Sequence, residues 1–283
     1  MKKGINAWSF PAGTTVERSL RLAKEAGFDG IELALEETGE LSLESTPQQI
    51  EAYAKLARDI GIEIASLASG LYWSYPFTSG DGETRAKAKA IVRRQLEFAA
   101  LLEVDTILIV PGAVGVDFLP DAPAVRYDVA YERALEALRE VAGDAERLGV
   151  SIGIENVWNK FLLSPLEMRD FIDAVGSPAV GSYFDVGNAL HGGYPEHWIP
   201  ILGKRIKKVH FKDYRRAAGG LHGFVDLLAG DVDYPAVVRE LEAIGYDSYV
   251  TAEMIPSYAH HGEQIVFNTS AAMDAILGRS VRS

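Results

Sequence analysis

KGINAWSFP, residues 3–11, decides between two architectures. Its first half reads as a short buried strand and its second half as an aromatic turn. A doubly wound open sheet places a glycine-rich phosphate turn directly after its first strand. Here Trp8-Ser9-Phe10-Pro11 stands in that place, and no GxGxxG or P-loop pattern occurs anywhere in the 283 residues.

Working outward from this strand, Val- and Ile-rich runs alternate with longer segments of helical period, the mark of βα units around a parallel sheet. After the first strand, KGINAW (3–8), come GIELAL (30–35), EIASLAS (63–69), DTILIVPG (105–112) and VSIGIENV (150–157). VGSYFDVG (180–187), IKKVHFKDY (206–214) and SYVTAEM (248–254) complete eight. Helical segments lie between them, with a last one near QIVFNTSAAMDAILG. Thr46-Pro47 and Ser164-Pro165 each set a capping side chain before a proline at the first helical position. Gly27, Gly61, Gly149, Gly176, Gly203 and Gly245 stand where left-handed helix terminators are expected. Eight strand-helix units in this length predict an α/β chain folded as one (β/α)8 TIM barrel over residues 1–283, without a linker or low-complexity tract.

Composition narrows the function. Forty acidic against 28 basic residues, a net charge of -12, disfavour a surface that tracks nucleic-acid phosphates. The one basic cluster, Lys204 to Arg216, reads as the solvated entrance and exit of a strand. There is no cysteine, so thiolate metal sites, disulfides and cysteine nucleophiles are excluded, and any metal is held by His, Asp or Glu. No apolar run has the length of a signal peptide or of a membrane helix, and the expectation is a cytoplasmic protein without membrane contact.

In a barrel of this kind chemistry sits at the C-terminal ends of the strands. The fifth strand ends in Glu155, the sixth in Asp185, the seventh in His210 and the eighth in Glu253, each flanked by apolar residues. Taken singly, a carboxylate at a strand end caps the following helix, and a histidine on an apolar strand is a hydrogen-bonded core residue. Four such groups at one barrel mouth are another matter, because each costs several kcal/mol if buried unpaired. A bound cation removes the conflict. Three carboxylates and an imidazole suit one divalent ion, Mn²⁺ first, then Mg²⁺ or Co²⁺, with Zn²⁺ less favoured. Lys212 lies on the same strand face as His210 by the period of two and is a candidate to bind a substrate oxygen; Asp213 faces the other way, to cap a turn. Trp8 and Phe10 after the first strand, Tyr72 and Trp73 after the third, and Trp158 after the fifth are candidates for an apolar, substrate-facing wall, or for packing under a lid.

The motifs IEN (154–156), FDVGN (184–188), VHFKD (209–213) and AEM (252–254) resemble those of the xylose-isomerase-like barrels, and the resemblance covers essentially the whole chain. That superfamily includes ketose 3-epimerases, L-ribulose-5-phosphate 3-epimerases, hydroxypyruvate isomerases, inosose dehydratases and type IV apurinic endonucleases. The resemblance implies that Glu155, Asp185, His210 and Glu253 are the metal ligands and that Glu155 and Glu253 double as acid and base. It implies a substrate-binding role for Arg216, six residues beyond His210, with Arg215 competing, and for His191 in the loop NALHGGYPEHW. It also implies a dimer or tetramer. Two departures matter. The endonucleases carry extra histidines at the ends of strands three and four and three residues after the strand-six aspartate, where this chain has LASGLYW, IVPGA and Asn188. The epimerases carry a substrate-contacting glutamate where this chain has Phe161.

Chelation of a ketone oxygen and a neighbouring hydroxyl acidifies the hydrogen on the carbon that bears that hydroxyl by stabilising an enediolate, and two facing glutamates then remove and return the proton on opposite faces. The expected activity is inversion at C3 of a ketose or ketose phosphate. The alternatives are an aldose-ketose isomerase of the hydroxypyruvate type, an inosose dehydratase, a DNA-repair endonuclease and a sugar-binding barrel without turnover.

Overall fold

A computed structural model describes residues 1–255 and 258–279. Its centre is a closed parallel barrel of β1 (Lys2–Asn6), β2 (Gly30–Ala34), β3 (Glu63–Ala68), β4 (Thr106–Ile109), β5 (Ser151–Glu155), β6 (Val180–Asp185), β7 (Ile206–Phe211) and, eighth, β10 (Tyr249–Ala252). Each expected strand is present. The first stops at Asn6 rather than Trp8, because the Asn6 side chain accepts the Trp8 N–H and turns residues 7–9 into a 3₁₀ turn.

The connecting helices are α1 (Val16–Glu25), α2 (Pro47–Ile60), α3 (Gly82–Leu101), α4 (Tyr127–Leu148) and α5 (Pro165–Val175), followed after β6 by α6 (Val186–Gly192) and α7 (Pro195–Leu202), then α8 (Tyr234–Ala243) and α9 (Gln264–Ile276). Thr46 and Gln49 close a reciprocal capping box on α2, and Gly61, at φ 77°, ends it in the left-handed region. Ser164 caps α5 by accepting the Glu167 N–H, whereas the Glu167 side chain reaches back to Leu163 N instead of closing a second box. Two elements depart from expectation. The segment after Asp185, read as a loop, begins with α6, whose two glycines mask its helical character and whose N-cap is Asp185 itself. The chain after Lys212 forms an antiparallel pair, β8 (Asp213–Tyr214) with β9 (Phe224–Val225), folded over the barrel mouth.

The main apolar core lies between the outer faces of the strands and the helices, with Ile5, Ile31, Leu67, Ile107, Ile154, Phe184 and Val209 contributed by the sheet. The barrel interior is different. Ala68, Leu108 and Tyr183, with Trp8 above them, form a small separate cluster, and around it lie the buried polar residues Asn6, Glu32, Ser66, His210 and Thr251. Barrels of this class are commonly filled with Val, Ile and Leu; this one carries a hydrogen-bonded lumen. Tyr183 fits across it because β5 has glycine opposite, where a Cβ at Gly153 would come within 2.9 Å of the tyrosine Cβ.

Candidate metal and active site

Glu155, Asp185, His210 and Glu253 are brought together at the C-terminal ends of β5, β6, β7 and β10, four consecutive strands of the barrel. Their ligand atoms lie within 4.8 Å of one another, and all four residues are buried. His210 Nδ1 stands 3.3 Å from Glu155 Oε1, 3.8 Å from Asp185 Oδ2 and 3.7 Å from Glu253 Oε2. Asp185 Oδ2 and Glu253 Oε2 accept no aligned hydrogen bond, although Lys212 Nζ makes ion-pair contact with both. Two buried carboxylate oxygens turned toward a shared imidazole nitrogen are what a cation requires and what a folded protein otherwise avoids. The cluster suits a divalent metal.

The orientation of His210 comes from a residue that strand-end reasoning passed over. Glu32, in the middle of β2 and fully buried, accepts from His210 Nε2 at 2.8 Å, and also from Ser66 Oγ at 2.6 Å, Tyr183 Oη at 2.5 Å and the Asn6 amide. Four donors on one carboxylate hold it ionised: burial alone would raise its pKa, and the His210 charge and these hydrogen bonds bring it below the ordinary value. With Nε2 committed to Glu32, the imidazole offers Nδ1 to the cluster. Burial likewise opposes the charge on His210, but Glu32, with the hydrogen bond to Glu155, overcomes it and raises the histidine well above its ordinary pKa. Burial, against the His210 hydrogen bond and with the charge of Glu253, pushes Glu155 up to about 7. Asp185 is also raised, by burial first and in spite of Lys212.

The backbone around Asp185 is held by Asn156, whose amide donates to Asp185 O and accepts from Asp185 N, both at 2.8 Å. Asp185 Oδ1 accepts the Asn188 N–H at 2.6 Å, so the capping of α6 and the aiming of Oδ2 are one arrangement. Asn188 thus has the job of joining β5 to α6, through a bond from its amide to Asn156 O. At the ends of β3 and β4, where further metal ligands would stand in the endonucleases, are Ser69 and Val110.

Above the cluster opens a cavity of about 440 Å³ with Glu155, Glu253 and Lys212 on its floor. Trp8, Trp73 and Trp158 line it, joined by Phe118, Phe224 and Ile255. Trp158 stacks on Phe224 with centroids 5.0 Å apart, which ties the β5 loop to the β8–β9 hairpin. A larger cleft of about 810 Å³ lies beside it, between the loops after β1 and β2, and contains none of the four cluster residues.

Lys212 takes the inward position that the strand period assigns to it. Burial works against its charge and the three carboxylates outweigh burial, so its ammonium is held above the ordinary pKa. Asp213 faces away and accepts the backbone N–H groups of Tyr214, Leu228, Gly230 and Val232, fixing the loop before α8. Other candidates are placed elsewhere. Tyr72 is fully buried beneath the wall, donating to Gln95 Oε1 and stacked on Phe77. Phe10 is in the core and lines the neighbouring cleft. His191 lies behind Trp158, ring centroids 4.3 Å apart, with Nδ1 at 3.3 Å from Tyr214 Oη. Arg216 donates to the carbonyls of Leu190 and Gly193 and covers the Tyr194 ring, securing the end of α6, while Arg215 holds Ala229 O. Phe161 packs against Tyr127, Tyr131 and Phe171. His222, in the hairpin, lines the cavity without having drawn notice in the sequence, since nothing in LHG marks where that loop folds.

Comparison with known proteins bears on the family and the fold. The sequence model of the xylose isomerase-like TIM barrel family matches residues 20–274. The L-ribulose-5-phosphate 3-epimerase UlaE of Salmonella typhi is 24% identical over 292 residues, covering 99% of this chain and 95% of that protein. Among solved structures, D-psicose 3-epimerase of Clostridium cellulolyticum H10 with D-tagatose superposes with a TM-score of 0.81 at 20% identity, over 98% of this chain and 99% of that one. An L-ribulose 3-epimerase gives 0.78 at 20% identity, over 98% and 94%.

Proposed function

The chain belongs to the xylose isomerase-like TIM barrel family, and from that premise we propose that it is a divalent-metal-dependent sugar epimerase that inverts C3 of a ketose or ketose phosphate. The observation that carries the reading is the pair Glu155 and Glu253, three strands apart around the barrel and both on the cavity floor beside Asp185 and His210. The relatives named L-ribulose-5-phosphate 3-epimerase and the ketose 3-epimerase neighbours support the choice of reaction.

Glu155, Asp185, His210 and Glu253 would hold the ion, which we assign as Mn²⁺ from the oxygen-rich donor set with one imidazole. Bound there, it would supply Lewis acidity to the substrate ketone, which would acidify the hydrogen on the adjoining hydroxyl-bearing carbon. The protein's residues do the rest. One glutamate takes the C3 proton on its face of the sugar and the other delivers a proton to the opposite face, inverting the centre. Lys212, within reach of Asp185 and Glu253, is assigned to a substrate oxygen that gains charge as the proton leaves. Trp8, Trp73 and Trp158 exclude water around that charge.

Among the described residues no helix is long and apolar enough to cross a membrane. The reading carries with it a cytoplasmic homodimer or homotetramer, which light scattering on the eluting protein tests. The reaction is tested by incubating manganese-loaded protein in D₂O with free and phosphorylated ketoses, hydroxypyruvate and inosose, following each carbon-bound hydrogen by NMR. Deuterium at C3 together with the inverted sugar is the expected result. Exchange at C1 or C2 would replace epimerisation by isomerisation, and full activity in Glu253→Gln would reject the site.

A further inference from the structure

The cavity over the cluster has two unlike parts. Its floor is ionic. Its wall, among the described residues, is formed by Trp8, Trp73, Phe118, Trp158, Phe224 and Ile255 with neighbouring aliphatics, and His222 is the one ionisable side chain above the floor. The other polar wall residues are committed to the protein. Ser69 Oγ donates to Leu35 O and accepts from Leu71 N, and the Asn188 amide donates to Asn156 O.

The cations near the rim are committed as well. Arg215 and Arg216 hold backbone carbonyls, and Lys160 pairs with Asp117 at 2.5 Å. Lys212 stands on the floor beside Asp185 and Glu253, where it is assigned to the reacting end of the sugar and not to its far end, and lies 5.0 Å from the Phe224 ring centroid. A terminal phosphate brings a charge of about -1.5 to -2 and calls for a cluster of charge-assisted donors. One exposed histidine does not make such a cluster. A methyl or other apolar group, by contrast, is stabilised by leaving water for this wall.

Resting on the epimerase reading and narrowing it, we propose that the substrate is an unphosphorylated ketose whose end distal to the reacting carbons is apolar, a deoxy terminus or a carbon bearing a non-polar substituent. The sugar head, with its ketone and adjoining hydroxyls, meets the floor, and the far end lies against the indoles.

The test uses matched triads built on each ketohexose stereoisomer: the parent sugar, its 6-deoxy analogue and its 6-phosphate. Manganese-loaded protein is assayed by C3 deuterium exchange, and binding is measured separately by tryptophan fluorescence, since Trp8, Trp73 and Trp158 line the cavity. Within the triad that reacts best, the 6-deoxy sugar is expected to exceed the parent about tenfold in kcat/KM, and the phosphate to fall at least about a hundredfold below it. Leu221→Arg, on the exposed rim of the same wall, is expected to raise binding of the 6-phosphate and lower that of the 6-deoxy sugar. Preference for the phosphate, or for the parent over its deoxy analogue, overturns the proposal. If no triad exchanges at C3, the epimerase reading fails on its own, and the order of binding by fluorescence still decides whether the distal site is apolar.

Discussion

Replacing Glu32 by Gln probes how the cluster is held. The carboxylate accepts from His210, Asn6, Ser66 and Tyr183. Glu32→Ala would strand four buried donors at about 1–3 kcal/mol each, enough to threaten a fold stable by about 5–15 kcal/mol. Glutamine avoids this. Its carbonyl can face His210 and Asn6, while its NH₂ meets the hydroxyls of Ser66 and Tyr183, which rotate to accept. What disappears is the negative charge behind the imidazole, and with it the pull that fixes Nε2–H and enriches Nδ1. Partners of this kind are worth about 10–100-fold in metal affinity, or about 1.4–2.8 kcal/mol. The assay is calorimetric titration of metal-stripped protein with Mn²⁺. In a His210→Ala background the same change should cost little further, because the effect passes through the histidine. An unchanged affinity in Glu32→Gln with intact near-UV circular dichroism would refute the reasoning, and so would additive losses in the double variant.

Other outcomes follow from the same geometry. Lys212→Met removes a cation from beside Asp185 and Glu253, so Mn²⁺ should bind about tenfold more tightly by Coulomb relief while turnover falls; weaker binding would show the lysine supporting the ion. Metal at a hundred times its dissociation constant should stabilise the fold by about 2.7 kcal/mol, read as a rise in Tm of several degrees that a chelator reverses, and a Tm indifferent to metal would count against the site. Asp213→Ala frees the backbone N–H groups of Leu228, Gly230 and Val232 and should cost about 2 kcal/mol, with early proteolytic cleavage between residues 226 and 232. Unchanged resistance there would mean that the loop is fixed by its apolar contacts.

The barrel was legible because its strands are buried on both faces, so that runs such as Thr106–Ile109 read as unbroken hydrophobicity between helical periods. The cluster was legible for the converse reason: an ionisable residue ending an apolar run has no packing rationale. Glu32 escaped notice because it stands in mid-strand, where a side chain facing outward or into the lumen gives the same string of letters. The signal was present as Asn6 and Glu32, polar residues at the same register of neighbouring strands. Loop side chains were read least well. Arg216 has the spacing of a substrate ligand and spends its guanidinium on α6, because its direction depends on the β8–β9 hairpin, which pairs Asp213 with Val225 and Tyr214 with Phe224 through a turn that no local pattern announces.

The four ligand-bearing strands are neighbours, β5, β6, β7 and β10, whereas Trp8, Trp73 and Phe118 arrive on the loops after β1, β3 and β4. The cavity wall thus draws on both arcs of the ring, since Trp158, Phe224 and Ile255 stand on the connections that follow the cluster's own strands. The second arc braces the cluster from below through Asn6 and Glu32, and the loop after β1 does so from the side, Ser9 Oγ accepting the Met254 N–H next to Glu253. On the proposed function, the connections after β3 and β4, which carry Trp73 and Phe118, are the ones that can be rewritten without altering a cluster residue, and exchanging them between relatives tests whether specificity follows the loop.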